Sequence, residues 1–127
     1  MTEGTPTVAA STGSWPTELK LDKDKKTLTV SFNDGKGFAL PAELLRVMSP
    51  SAEVQGHSPE QRVTVPGKKN VRIEKLTPVG NYAVRIAFDD GHDTGLFSWT
   101  YLCDLGENQE ARFMAYLREI ADKGLSR

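Results

Sequence analysis

Two histidines and a single cysteine are the side chains of this chain most suited to chemistry. His57 lies in Gly56-His57-Ser58-Pro59 and His92 in Asp90-Gly91-His92-Asp93. An imidazole in a polar turn of either kind can ligate a metal, carry a proton, or simply be solvated or hydrogen-bonded. The two would form a metal or small-ligand site if the fold brought them together, with Asp93 or Cys103 within reach as a third group. Cys103 follows Tyr101-Leu102 at the end of an apolar segment, where a small buried thiol is the commoner outcome and a reactive thiolate the rarer one.

Other chemistries lack their motifs. Serines are plentiful, but none stands in Gly-x-Ser-x-Gly, and no spacing orders a Ser/His/Asp set. Neither Gly-x-Gly-x-x-Gly nor Gly-x-x-x-x-Gly-Lys-Ser/Thr occurs, so nucleotide binding through a glycine-rich phosphate cradle is unsupported. Gly67-Lys68-Lys69 with Arg72 and Lys75 is a local basic cluster suited to an acidic surface, or a solvated face. Trp99 and Tyr101, beside Phe97, are core packing if covered and a recognition anchor if exposed. With no assembled nucleophile, base or cofactor motif, the expectation is a non-enzyme.

The chain that must position these residues has 127 residues, the size of one domain with one core. Its formal charge is −1, from 16 basic and 17 acidic residues spread along the sequence, which provides no global field for nucleic acid or an anionic membrane. One cysteine rules out an intramolecular disulfide and fits a reducing, cytoplasmic setting. No apolar run approaches the roughly 20 residues of a membrane span. Residues 1–14 are polar and Thr/Gly/Ser-rich and read as a disordered leader, leaving 15–127 as a single domain.

Leu19 and Leu21, then Leu28, Val30 and Phe32, alternate with polar residues on either side of a charged Asp22–Lys26 turn, which predicts strand, turn, strand. Asn33-Asp34-Gly35 is a turn, Phe38-Ala39-Leu40 a third strand, and Pro41 opens a helix over Ala42–Met48. Ser49–Asn70 is a long polar loop punctuated by Pro and Gly. Val71 and Ile73 resume the strand pattern, Pro78-Val79-Gly80-Asn81 makes a turn, and Tyr82, Val84, Ile86 and Phe88 share one face. Asp89-Asp90-Gly91 follows, then a short strand near Leu96 and a turn or helix at Ser98–Leu102. Phe113, Tyr116, Leu117 and Ile120 recur at helical spacing within Asn108–Lys123, a packing helix ended by Gly124. Leu28-Thr-Val-Ser-Phe-Asn-Asp-Gly and Val84-Arg-Ile-Ala-Phe-Asp-Asp-Gly match in pattern, and each leads through a short strand to a helix. The expected fold is therefore β-rich α+β: two β-meander/short-helix pseudo-repeats forming a small antiparallel sheet core, plus a C-terminal packing helix.

Phe32-Asn-Asp-Gly, Leu44-Leu-Arg-Val-Met-Ser-Pro-Ser-Ala-Glu, and Val79-Gly-Asn-Tyr-Ala-Val-Arg-Ile-Ala-Phe-Asp-Asp-Gly-His with Phe97-Ser-Trp-Thr-Tyr-Leu together resemble the γ-butyrobetaine hydroxylase-like N-terminal domain over roughly Trp15 to Leu105. That domain occurs alone in bacteria and fused to larger proteins. In the hydroxylases it precedes an iron- and 2-oxoglutarate-dependent catalytic domain, and relatives are fused to iron-sulfur carrier ATPases. The resemblance implies a mostly β fold and, in the hydroxylases, a zinc ion held by three cysteines and one histidine. Matched position by position, the histidine falls on His92 and the cysteine cluster on about Ser49, Ser51 and Val54, so the three thiolates are absent. A structural zinc site normally needs four N or S ligands, and one imidazole does not supply its affinity.

The resulting expectation is a non-catalytic accessory or protein-interaction module, linked by resemblance to iron-sulfur or oxygenase systems. Its interaction surface would include Trp99, Tyr101, Arg46, Lys68 and Lys69. The alternative is a metal- or small-ligand-binding protein using His92 and His57. No cofactor is expected, zinc being the one the resemblance would suggest. The expected partner is a protein, neither nucleic acid nor membrane, and the dimeric hydroxylase relatives make a homodimer through an exposed strand edge an option.

Overall fold

A computed structural model of the chain describes residues 15–51, 54 and 63–127. The leader expected over 1–14, His57 and the middle of the long loop lie outside the described residues. The fold is α+β, with two three-stranded antiparallel sheets. In the first sheet β1 (Pro16–Leu21), β2 (Thr27–Phe32) and β3 (Gly37–Pro41) form a meander that runs into α1 (Ala42–Val47). In the second, β4 (Ile73–Val79), β5 (Ala83–Phe88) and β6 (Gly95–Ser98) run into α2 (Trp99–Glu107), and α3 (Gln109–Asp122) closes the chain.

The duplication visible in the sequence extends to individual backbone bonds. In the first sheet the turn closes with Phe32 N–H on Lys36 O, Gly35 N–H on Phe32 O and Lys36 N–H on Asp34 Oδ1. In the second, Phe88 N–H bonds His92 O, Gly91 N–H bonds Phe88 O and His92 N–H bonds Asp90 Oδ1. Gly35 (φ 91°) and Gly91 (φ 93°) take the left-handed conformation that this turn demands and that a side chain disfavours. Each first strand pairs with its neighbour through one register break, between Pro16 and Glu18 and between Ile73 and Lys75. Each helix starts with an N–H on the residue just before or opening its meander's middle strand, Ala42 on Lys26 O and Trp99 on Tyr82 O.

Alternation along the middle strands buries Leu28, Val30 and Phe32 from one sheet and Val84, Ile86 and Phe88 from the other. These join Leu44, Leu45 and Val47 of α1, Leu102 and Leu105 of α2, and Tyr116 and Ile120 of α3 in one apolar cluster. The Tyr116 hydroxyl donates to Val65 O at 2.7 Å, which satisfies the one polar atom that α3 takes into the core.

The strand and helix boundaries differ from the sequence expectation in two places. Pro78 and Val79 belong to β4, paired with Val84 and Ala83, so the turn begins at Gly80 (φ 54°). Proline is tolerated because β4 is an edge strand and needs no N–H bond on its open side. Tyr82 consequently sits in the turn, 59 % exposed, and does not share the buried face of Val84, Ile86 and Phe88. The helix expected over Ser98–Leu102 runs on to Glu107. Ser98 caps it by accepting the Tyr101 N–H at 3.1 Å, and the glycine at 106 is needed where α2 crosses β3. Among the described residues no helix is long and apolar enough to cross a membrane.

Candidate functional site

The end of α1 and the β5–β6 turn meet at the histidine. Helix α1 closes through Met48 N–H on Leu44 O and Ser49 N–H on Arg46 O, which leaves Ser49 just past the last turn. The β5–β6 turn fixes His92 by both its N–H and its carbonyl. The result is a hydrogen bond of 2.9 Å between Ser49 Oγ and His92 Nε2, with Ser51 Oγ 3.3 Å from the same nitrogen. Ser49 is fully buried, Ser51 and His92 nearly so, and Val54, also buried, follows with its N–H on Ser51 O at 3.1 Å. Ser49 reaches this position because residue 95 of β6 is glycine: a Cβ there would overlap Ser49 Oγ and crowd the Phe97 ring.

An ionic clamp holds the two halves of this pocket together. Arg46 Nε of α1 and Lys68 Nζ both reach Asp90 Oδ2 at 2.7 Å, while Asp90 Oδ1 accepts the His92 N–H at 3.0 Å. Burial alone would raise the Asp90 carboxyl; the bonds from Lys68, the His92 N–H and Arg46 outweigh it and bring its pKa from the usual 3.8 down to about 2. Tyr101 of α2 reinforces the joint by donating its hydroxyl to Met48 O at 2.5 Å.

Of the positions matched to a zinc site through the sequence, residues 49 and 51 therefore meet His92 in a buried cluster, and Val54 adjoins it through its N–H on Ser51 O. Their chemistry is different. Two neutral hydroxyls and a valine stand where zinc would need thiolates, and hydroxyls ionise far too weakly to replace them. Among the described residues no three His, Cys, Asp or Glu side chains come close enough to hold a metal ion. A Ser–His hydrogen bond is also the first element of a nucleophilic site, but Ser49 has no exposed surface from which to attack a substrate. The sequence reading missed the Ser49–His92 bond as a contact, since the two lie in different repeats; their match to the zinc positions was the signal that located them.

This chain matches the model of the gamma-butyrobetaine hydroxylase-like N-terminal domain over residues 19–103, more than half its length. It belongs to that family. Two proteins with NMR solution structures are 46 % and 48 % identical to it; they cover 89 % and 96 % of this chain, which covers 89 % and 91 % of theirs, with TM-scores of 0.76 and 0.79. A crystal structure of a protein of unknown function from Acidithiobacillus ferrooxidans, assigned to the DUF971 family, is 36 % identical over 72 % of this chain and 91 % of that one, with a TM-score of 0.59. No curated protein matches the chain.

The remaining candidate residues of this γ-butyrobetaine hydroxylase-like domain are dispersed. Arg46 and Lys68 share Asp90, with Arg46 Nη1 buried and lacking a hydrogen-bond partner among the described residues, while Lys69 is exposed. Trp99 is partly buried and donates its indole N–H to Asn81 O at 2.8 Å. Cys103 is partly buried on α2; burial and the nearby Glu107 charge raise its thiol pKa, which opposes thiolate formation.

Proposed function

We propose that this chain is a non-catalytic protein-interaction module whose second repeat carries the recognition surface. The observation that supports this reading most strongly is a difference between the repeats. At matching backbone positions, marked by the bonds that open the two helices, the first repeat has Lys26 and Ala42 and the second has Tyr82 and Trp99. Tyr82 is exposed, Trp99 is half-covered beside it, and Leu96 on the outward face of β6 is 44 % exposed. Aromatic residues held rigidly at a surface, with the Trp99 indole fixed by Asn81, lose little freedom on binding and dominate interface energies. The pocket at His92, closed by serines, then serves to join α1 to the second sheet. The family resemblance makes iron-sulfur and oxygenase systems the first places to seek the partner.

A photo-crosslinking amino acid at position 82 tests this in cells. It is expected to trap a discrete protein, whereas the same group at the exposed position 20 of β1 traps none. Equal labelling at both positions, or none at 82, contradicts the proposal.

A further inference from the structure

A second surface lies where α1, α2 and α3 enclose a cleft of about 550 Å³. Pro41, Leu44 and the Phe113 ring are its apolar lining, and Glu43, Glu107 and Glu110 line it with carboxylates. Glu43 is the unusual member, a carboxylate on the first turn of α1 that is only 6 % exposed. A buried carboxylate is costly without a cation and hydrogen-bond donors. In this structure both come from Arg127, whose Nε and Nη2 lie 3.1 and 2.8 Å from the two Glu43 oxygens. The same guanidinium lies 5.2 Å from the centre of the Phe113 ring.

Paired donation to a fixed carboxylate together with an aromatic face matches a planar guanidinium and fits a lysine ammonium poorly. The residue that supplies it is weakly held. Residues 121–127 are all exposed, and the short stretch beyond α3 is fastened by Leu125 N–H on Ile120 O and by Gly67 N–H on Ser126 O. Arg127 itself is 40 % exposed, so it sits at the mouth of the cleft and leaves the space toward Glu107 and Glu110 open.

We propose that this cleft is a recognition site for an arginine side chain on a partner polypeptide, occupied in cis by Arg127, which the partner's arginine displaces. The carboxylates at Glu107 and Glu110 favour a segment with a further basic residue beside that arginine; Lys36, 2.6 Å from Glu107, neutralises part of this field. The site is independent of the Tyr82 surface, and substitutions at Tyr82 leave it intact.

The test is an NMR titration of the full-length chain with the peptide acetyl-Leu-Ser-Arg-amide and with its lysine counterpart. The Arg127→Ala variant is expected to bind the arginine peptide roughly tenfold more tightly than wild type, because the competing internal ligand is gone. Wild type binds it measurably, and the lysine peptide binds each more weakly. Removing the carboxylate (Glu43→Gln) or the ring (Phe113→Leu) in the Arg127→Ala background reduces binding, each in protein whose spectrum remains folded. The proposal fails if Arg127→Ala does not bind the arginine peptide, if wild type excludes it altogether, or if arginine and lysine peptides bind alike.

Discussion

Asp90 illustrates how much one side chain holds in place. Its carboxylate caps the β5–β6 turn through the His92 N–H and draws Arg46 and Lys68 onto the same oxygen. Because its pKa in the folded chain is about 2, below the ordinary 3.8, the unfolded chain binds more protons between these values. The stabilisation is complete above about pH 4 and is lost as the pH falls toward 2. After allowance for solvent screening of a partly exposed group it amounts to about 1 kcal/mol. Chemical denaturation across this range should show that component in wild type and not in Asp90→Asn; an unchanged acid profile in the variant would remove Asp90 from the account. The sequence identified Asp90-Gly91 as a turn because the glycine is needed for positive φ. It did not reveal the clamp, since Arg46 and Lys68 come from distant positions and adjacent spacing carries no information about them.

At the level of elements, the two repeats solve one packing problem in opposite ways. Where α2 crosses β3, the helix supplies Gly106 and the strand supplies Phe38; a Cβ at 106 would run into the Phe38 ring. Where the chain leaving α1 crosses β6, the strand supplies Gly95 and the other side supplies Ser49. In each crossing a glycine leaves room for the side chain opposite, so the elements approach closely. Gly106→Ala, which helix propensity alone would favour by about 1 kcal/mol, is expected to destabilise the protein by about 1–3 kcal/mol through overpacking. Phe38→Leu in the same chain should recover part of that loss, and additive effects of the two substitutions in denaturation experiments would contradict direct contact. Helical and alternating periodicity made most elements legible, but an edge-strand proline reads as part of a turn, and a glycine inside a helix carries no sign of the ring it accommodates. Their tertiary settings, an open sheet edge and a close crossing, explain both.

Over the whole molecule, the duplication was legible because it repeats a turn sequence whose glycine and acidic residue have fixed backbone roles. It also shows where the halves have diverged: Lys36 in one turn corresponds to His92 in the other, and Lys26 and Ala42 correspond to Tyr82 and Trp99. Convergence of Ser49 and Ser51 on His92 was reachable only by matching residues to the family, since the three positions span both repeats. On the reading proposed above, the Ser49–His92 contact joins the halves by hydrogen bonds and function resides on the surface. Zinc and iron content per chain, measured on natively purified wild type, tests it most directly, with Ser49→Cys/Ser51→Cys/Val54→Cys as the positive control. Folded, metal-free wild type is expected, with about one zinc in the three-cysteine variant, lost on further change of His92→Ala. Stoichiometric metal in wild type that disappears in His92→Ala would contradict it and make the serine-lined pocket a metal centre.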